Sequence, residues 1–231
     1  MAGGIFHILG TDTGAGKTHV TSLLLEGAGR LGVSALPLKP VHSGWRRADE
    51  WGEDLRVLRP WIPAGLSPGE LCRYALEAPI SPFSAAREAG QSIEIAELLG
   101  FLERARRRPE RCLLVEGVGG VCCPLGPRLT YLEFLSRAPG ACLLVSRVGL
   151  GALNHAVMSA RLLTAAGKPP IALVLNEETE GVTATPAGRV ARGELENLLD
   201  VPVFGPLLRD RREQNLAALE PLARKVFLGA A

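Results

Sequence analysis

The sequence predicts a three-layer α/β domain in which a mostly parallel central sheet is covered by helices on both faces. Three observations lead there. Short runs such as Cys112-Leu-Leu-Val-Glu116, Ala141-Cys-Leu-Leu-Val145 and Ile171-Ala-Leu-Val-Leu175 show little polar alternation, the pattern of strands buried on both faces. They alternate with stretches of helical apolar spacing, which implies parallel strands joined by right-handed crossovers. Glycines and polar side chains gather just after the strands, where ligands bind in such sheets.

In chain order, Ile5 to Leu9 reads as the first strand. A helix comes next, with Leu23, Leu24, Gly27 and Leu31 at three- to four-residue steps. Val33 to Leu38 is a second strand, ending at Lys39-Pro40. Residues 41–66 read as irregular chain, pinned to the body by packing of Trp45, Trp51 and Trp61. Ser67-Pro-Gly-Glu70 has the residues of a capped helix start, with proline first and glutamate three after the cap. Ser81-Pro82 opens a short helix through Arg87, and Ile95, Leu98, Leu99 and Leu102 mark another over 94–107. The third strand, Cys112 to Glu116, runs into Gly117-Val-Gly-Gly120. The fourth, Ala141 to Val145, precedes Gly149-Leu-Gly-Ala-Leu-Asn154 and a helix to about Ala166. A fifth strand ends at Asn176, and a helix over 185–199 leads to a sixth, Val201 to Leu207. The last helix starts near Arg212, with Pro221 breaking or kinking it. No repeat, low-complexity tract or linker divides the chain, so one domain over 1–231 is expected.

The chain is organised around the first strand and the loop after it, Gly10-Thr-Asp-Thr-Gly-Ala-Gly16-Lys17-Thr18. A strand, a glycine-rich loop and a helix in that order form a phosphate-binding loop. Backbone N–H groups of Thr13, Gly14, Ala15 and Gly16 and the helix N-terminus favour a triphosphate. Lys17 would reach the terminal phosphates and the Thr18 hydroxyl would ligate Mg²⁺. The usual spacing puts the first glycine at position 11, which is Thr11 here, so the loop is one residue longer than standard. The expected class is therefore a P-loop NTPase-like domain binding a nucleoside triphosphate such as ATP.

Composition narrows the partners. With 26 basic and 24 acidic residues the net charge is +2, so no global field directs the chain to nucleic acid or anionic lipid. The densest basic run, Arg104 to Arg108, lies at a helix end, where cations suit the dipole. Five cysteines without CxxC spacing argue against a disulfide framework or a zinc site and read as small buried residues. No apolar run approaches a membrane span, and no basic region precedes an apolar core at the start. A cytoplasmic protein without nucleic-acid or membrane partners is expected.

Glu116 ends an apolar strand, where a carboxylate needs a cation or a hydrogen-bond donor; Mg²⁺ beside Thr18 is the functional reading and a loop cap the plain one. Asp54 fits either a metal ligand or surface charge. Lys39 either snorkels to solvent or adds a second ammonium near Lys17, as a reaction accumulating negative charge requires. Asn176 offers the donor and acceptor an adenine edge needs, and a loop cap fits it equally. His7 and His42 read as packing residues, and His19 and His155 sit at helix starts; none is assigned a role.

Taken together, Gly10-Thr-Asp-Thr-Gly-Ala-Gly-Lys-Thr18, Lys39-Pro-Val-His-Ser-Gly44, Glu116-Gly-Val-Gly-Gly120, Pro124-Leu125 and Gly149-Leu-Gly-Ala-Leu-Asn-His155 resemble dethiobiotin synthetase, in that family's order and over nearly the whole chain. In that family the extra loop residue is normal. The resemblance implies ring closure in biotin synthesis: CO₂ and 7,8-diaminopelargonic acid form a carbamate, ATP phosphorylates it, and the second amine closes a cyclic urea. It places Thr13, Lys17, Lys39 and Ser43 around the carbamate and γ-phosphate. It gives Thr18, Asp54 and Glu116 to Mg²⁺, and Asn176, Pro206 and Leu207 to adenine. It also implies a homodimer, with Gly149, Leu150, Gly151 and Asn154 holding the substrate tail across the interface.

Phe83 stands where many relatives have His, Glu133 where Asp is frequent, and 185–199 contains no tyrosine to match one that helps hold the tail. Two other readings are weighed. A partition or positioning ATPase of the deviant phosphate-loop type would carry a lysine where Asp12 stands, and a membrane-reading one would end in a basic amphipathic helix. Here Leu216, Leu219, Leu222 and Phe227 of the last helix read as core. A non-catalytic nucleotide-sensing module would not need the full set of Lys17, Thr18, Lys39 and Glu116.

Overall fold

The computed structural model describes residues 4–46 and 48–229. Strand β1 (Gly4–Gly10) feeds the phosphate loop, and α1 (Lys17–Arg30) starts directly behind it. Strands β2 (Ala35–Leu38) and β3 (Val41–Ser43) come next, then α2 (Glu53–Leu58). Helix α3 (Pro68–Leu71) is a single turn closed by a capping box between Ser67 and Glu70, as the sequence pattern predicts. It is succeeded by β4 (Tyr74–Leu76), α4 (Pro82–Glu88) and α5 (Ile95–Arg106). The long strand β5 (Cys112–Gly120) leads to a small hairpin, β6 (Pro124–Gly126) and β7 (Leu129–Thr130), and to α6 (Tyr131–Arg137). The chain closes with β8 (Ala141–Arg147), α7 (Ala152–Ala165), β9 (Pro170–Asn176), α8 (Pro186–Leu198), β10 (Val203–Leu207) and α9 (Arg212–Leu228).

Six strands form one parallel sheet in the order β10-β9-β8-β1-β5-β2. The chain builds first to one side of β1 and then to the other, so the loop after β1 sits at the crevice where ligands bind in open α/β sheets. Successive side chains alternate between two cores. Leu9, Leu113, Val115, Leu144 and Leu173 face a layer that includes Leu98, Phe134, Leu163 and Leu195 of α5 to α8. Ile8, Leu114, Leu143, Val145 and Val174 face Leu23 and Leu24 of α1 and Leu219 and Leu222 of α9. Each such leucine contributes about 1.5–3 kcal/mol on burial, which is why runs without polar alternation mark these strands.

Several expectations are corrected. The 41–66 stretch is not irregular throughout: β3 pairs in parallel with β4, and α2 buries Leu55 and Leu58. The tryptophans do pack on the body, and Trp45 also donates its indole N–H to Asp49 O at 2.8 Å. The third strand runs through Gly120 rather than ending at Glu116. The β6–β7 hairpin and α6 were not legible as elements, although Thr130 and Glu133 form a capping box at the start of α6. Helix α9 continues through Pro221, so the proline does not break it. All five cysteines are free; Cys72, Cys112 and Cys142 are buried as expected, but Cys122 is exposed and Cys123 half-buried. Among the described residues no helix is long and apolar enough to cross a membrane.

Candidate active site

The phosphate loop turns sharply from β1 to α1. Gly14 and Gly16 have φ of 76° and 95°, a region that penalises any side chain. A Cβ on Gly16 would also lie 2.1 Å from Asn176 Nδ2, so that position needs glycine twice over. Lys17 reaches back across the loop and donates to Gly119 O at 2.9 Å and Asp12 O at 3.2 Å. Burial, with the nearby Lys39 charge adding to it, lowers its pKa to about 8.

Register explains why Lys39 and Glu116 meet. Leu38 pairs with Val115, so the next residue of each chain stands side by side at the sheet's carboxyl edge. Glu116 shares the face of Leu114, toward α1, and so reaches Thr18 and Thr21. The β1–β5 register also shifts between Ile8 and Gly10, an irregularity of the kind that re-aims side chains beside sites. Lys39 Nζ lies 2.6 Å from Glu116 Oε1 and 2.7 Å from Asp54 Oδ2, and donates to Gly117 O at 3.1 Å. Asp54 sits in the first turn of α2 rather than in a loop, where a carboxylate suits the helix dipole.

Thr18 Oγ1 lies 2.9 Å from Glu116 Oε1 and 3.0 Å from Asp54 Oδ1, yet its single proton serves one of them at a time. Two carboxylates and a hydroxyl therefore converge on one small volume, a donor set that fits a hard cation such as Mg²⁺. Among the described residues no group of three or more His, Cys, Asp or Glu could hold a metal ion alone, so a cation here would share phosphate oxygens. Charge balance is tight. Burial opposes the Lys39 charge, but Glu116 and Asp54 outweigh it and hold the pKa above the ordinary lysine value. Burial likewise opposes the Asp54 charge, and the Lys39 ammonium overcomes it, bringing Asp54 down to about 2.

These groups line a cavity of about 660 Å³ that also takes in Thr13 and Ser43. Its far wall is Pro79 to Pro82, and His42, Val118 and Cys123 line it as well. Sequence reasoning gave none of these a role at the site. Ser81-Pro82 was legible as a helix start, but nothing local shows that the turn before α4 folds over the phosphate loop. Burial lowers the His42 pKa, and the Lys39 charge adds to this against the opposing Asp54 carboxylate.

The remaining candidates lie elsewhere. Asn176 ends β9 on the other side of the phosphate loop, and Leu207 is its register partner in β10, with Pro206 preceding it. Ala15, within the phosphate loop, is buried. Gly149, Leu150, Gly151 and Asn154 do not reach the cavity; Leu150 is 95% exposed, and a Cβ on Gly151 would meet open space.

A family model described as an AAA domain matches residues 5–211. The ATP-dependent dethiobiotin synthetase BioD of Marinobacter nauticus is 36% identical over 184 residues, covering 79% of each chain. The protein of the same name from Anaeromyxobacter sp. (strain Fw109-5) is 34% identical over 219 residues, covering 90% of this chain and 96% of that one. The chain belongs to the dethiobiotin synthetase family. This dethiobiotin synthetase family member also shares its fold with the cell division ATPase MinD of Pyrococcus furiosus, at 17% identity and a TM-score of 0.60 over 99% of this chain and 100% of that one. The MinC:MinD complex of Aquifex aeolicus gives 14% identity and a TM-score of 0.63, covering 99% and 97%. At such identities the likeness is one of fold.

Proposed function

We propose that this chain closes a cyclic urea on 7,8-diaminopelargonic acid, making dethiobiotin in an ATP- and Mg²⁺-dependent step of biotin synthesis. The observation that carries the reading is the buried Lys39, fixed by Glu116 and Asp54, lining one cavity with the phosphate-loop Lys17. Two preorganised ammonium groups suit a reaction in which an anionic acceptor meets a triphosphate.

Atoms and charge balance across the sequence of bond changes. One substrate amine bonds to CO₂ and loses a proton, leaving a carbamate. A carbamate oxygen attacks the γ-phosphorus of ATP and ADP leaves, giving a carbamic-phosphoric anhydride. The second amine attacks the carbonyl carbon, loses its proton, and phosphate departs as the urea ring closes. Lys17, Lys39, Thr13 and Ser43 hold the carbamate and γ-phosphate in line. Thr18, Asp54 and Glu116 would hold Mg²⁺, which supplies neutralising charge at the phosphates. The N–H groups from Thr13 to Thr18 cradle the phosphates, and Asn176, Pro206 and Leu207 face adenine.

The substrate tail is the part this chain leaves open. The turn before α7 presents Leu150 to solvent, and Met158 and Leu162 of α7 are 61% and 38% exposed. We read this apolar surface as the contact of a homodimer in the cytoplasm, in which Gly149, Leu150, Gly151 and Asn154 of one protomer complete its partner's site. The test is formation of dethiobiotin from diaminopelargonate, bicarbonate, Mg²⁺ and ATP, with one ADP released per product. ATP turnover without the cyclic urea overturns the reading.

A further inference from the structure

His42, in β3, is 6% exposed and lines the site cavity, yet the bond changes above give it no part. Two neighbours fix its ring. Trp45 meets it edge-on at 5.2 Å between centroids, and a Cβ on Gly52 would lie 3.1 Å from its Cε1. Neither ring nitrogen has a hydrogen-bond partner among the described residues. The two differ in access: Nδ1 is sealed from solvent, whereas Nε2 is not. Burial lowers the pKa from 6.5, so the ring is neutral at neutral pH and carries one N–H. Orphaned buried donors are rarer than under-satisfied acceptors, which puts the proton on Nε2 and leaves the sealed Nδ1 as a bare lone pair. A fixed side chain therefore holds one unused donor at the open edge of its ring.

We propose that His42 contacts the substrate, donating its Nε2–H to the carbamate as a neutral partner beside Lys39 and Ser43. This rests on the reading that the carbamate forms in this cavity. The phosphate loop gives Lys17 and its backbone N–H groups to the triphosphate, whereas Lys39, His42 and Ser43 come from the chain between β2 and the end of β3. His42 stands close enough to Lys39 and Asp54 for both charges to act on it. Lys39 itself is fully engaged: its three N–H groups go to Glu116, Asp54 and Gly117 O. A cation with every donor taken attracts an anion without fixing its orientation. Orientation then falls to the donors on that wall with no partner among the described residues, His42 Nε2–H and the Ser43 hydroxyl. A neutral donor also suits the chemistry, since it withdraws less charge than a further ammonium from an oxygen that must attack phosphorus.

Steady-state kinetics of dethiobiotin formation on the full chain compare His42→Gln with His42→Met, side chains of matched length of which glutamine alone keeps a donor. His42→Met should lower kcat/KM for diaminopelargonate by about tenfold, the loss of one neutral hydrogen bond, with KM for ATP within about twofold of its original value. His42→Gln should stay within about threefold of the unaltered chain. A second measurement needs no turnover. Nitrogen-15 NMR of the imidazole, assigned by its loss in His42→Gln, should report a neutral Nε2–H tautomer in the ligand-free protein. An Nδ1–H tautomer overturns the proposal. So does a His42→Met chain as active as the unaltered one, which would turn Nε2 toward the neighbouring cavity lined by Arg46 and Glu53. A His42→Gln chain as slow as His42→Met overturns it as well, by making the role one of shape. If the unaltered chain binds ADP with Mg²⁺ but forms no dethiobiotin, the underlying reading of the cavity falls instead.

Discussion

The Lys39 ammonium lies 2.6 Å from Glu116 Oε1, and the two residues are 3% and 1% exposed. A buried pair of this kind is a poor route to stability, because desolvating both charges offsets much of their attraction. Its use is positional: the carboxylates hold a cation at the sheet edge in one orientation before any ligand arrives.

The first expectation comes from that placement. Lys39→Ala should lower kcat by on the order of a hundredfold or more, the effect of about 3–4 kcal/mol of lost transition-state stabilisation, while KM for ATP moves only a few-fold. Stranding Glu116 should also lower the melting temperature, so rates belong well below the variant's transition. Normal turnover in a folded Lys39→Ala chain removes Lys39 from the chemistry.

The oxygen cluster around Thr18 leads to a metal-dependence experiment. Asp54→Asn and Glu116→Gln should each raise the Mg²⁺ concentration giving half-maximal rate, since each removes one anionic ligand. Titrating Mg²⁺ at saturating ATP measures this. An unchanged midpoint in Asp54→Asn would leave Asp54 as no more than the second counter-ion of Lys39.

Exposure of the 149–154 loop predicts shared sites. A bulky residue at Gly151, where φ is 83°, should raise KM for diaminopelargonate strongly and leave ATP affinity nearly unchanged. Mixing that variant with Lys17→Ala should recover activity, because the heterodimer holds one doubly damaged and one intact site. Heterodimers that form yet stay inactive would place the tail within a single protomer.

A pH effect on stability, separate from catalysis, is expected from His7. This residue is fully buried in β1, edge-on to Phe134, and its Nε2–H donates to Pro139 O at 2.9 Å. Burial lowers its pKa from 6.5 to about 4, only partly opposed by the Pro139 hydrogen bond. Because the folded pKa is depressed, the unfolded chain takes up the proton first as pH falls. Stability is whole above pH 6.5 and drains away toward pH 4, by about 3 kcal/mol in all. Denaturant melts across that window should show a shallower slope in His7→Gln than in the unaltered chain. Equal slopes would assign the loss to carboxylates.

Much of this protein was determined by local sequence. The order of strands and helices can be read from apolar runs and spacing, because a strand buried on both faces and a helix buried on one leave different periodicities. The phosphate loop is equally legible in Gly14, Gly16, Lys17 and Thr18, whose backbone demands and chemistry are local. Tertiary structure decided the rest. Asp54 was ambiguous in sequence because its value depends on α2 leaning toward Lys39, a contact between separate elements. The Pro79–Pro82 wall and the meeting of His19 with Asn176 were invisible for the same reason. His19 and Asn176 are 157 positions apart, and only the parallel sheet, by ending β9 beside the loop after β1, brings a donor on α1 to the amide. Periodicity records which face of an element is buried. It carries no record of which distant side chain waits there.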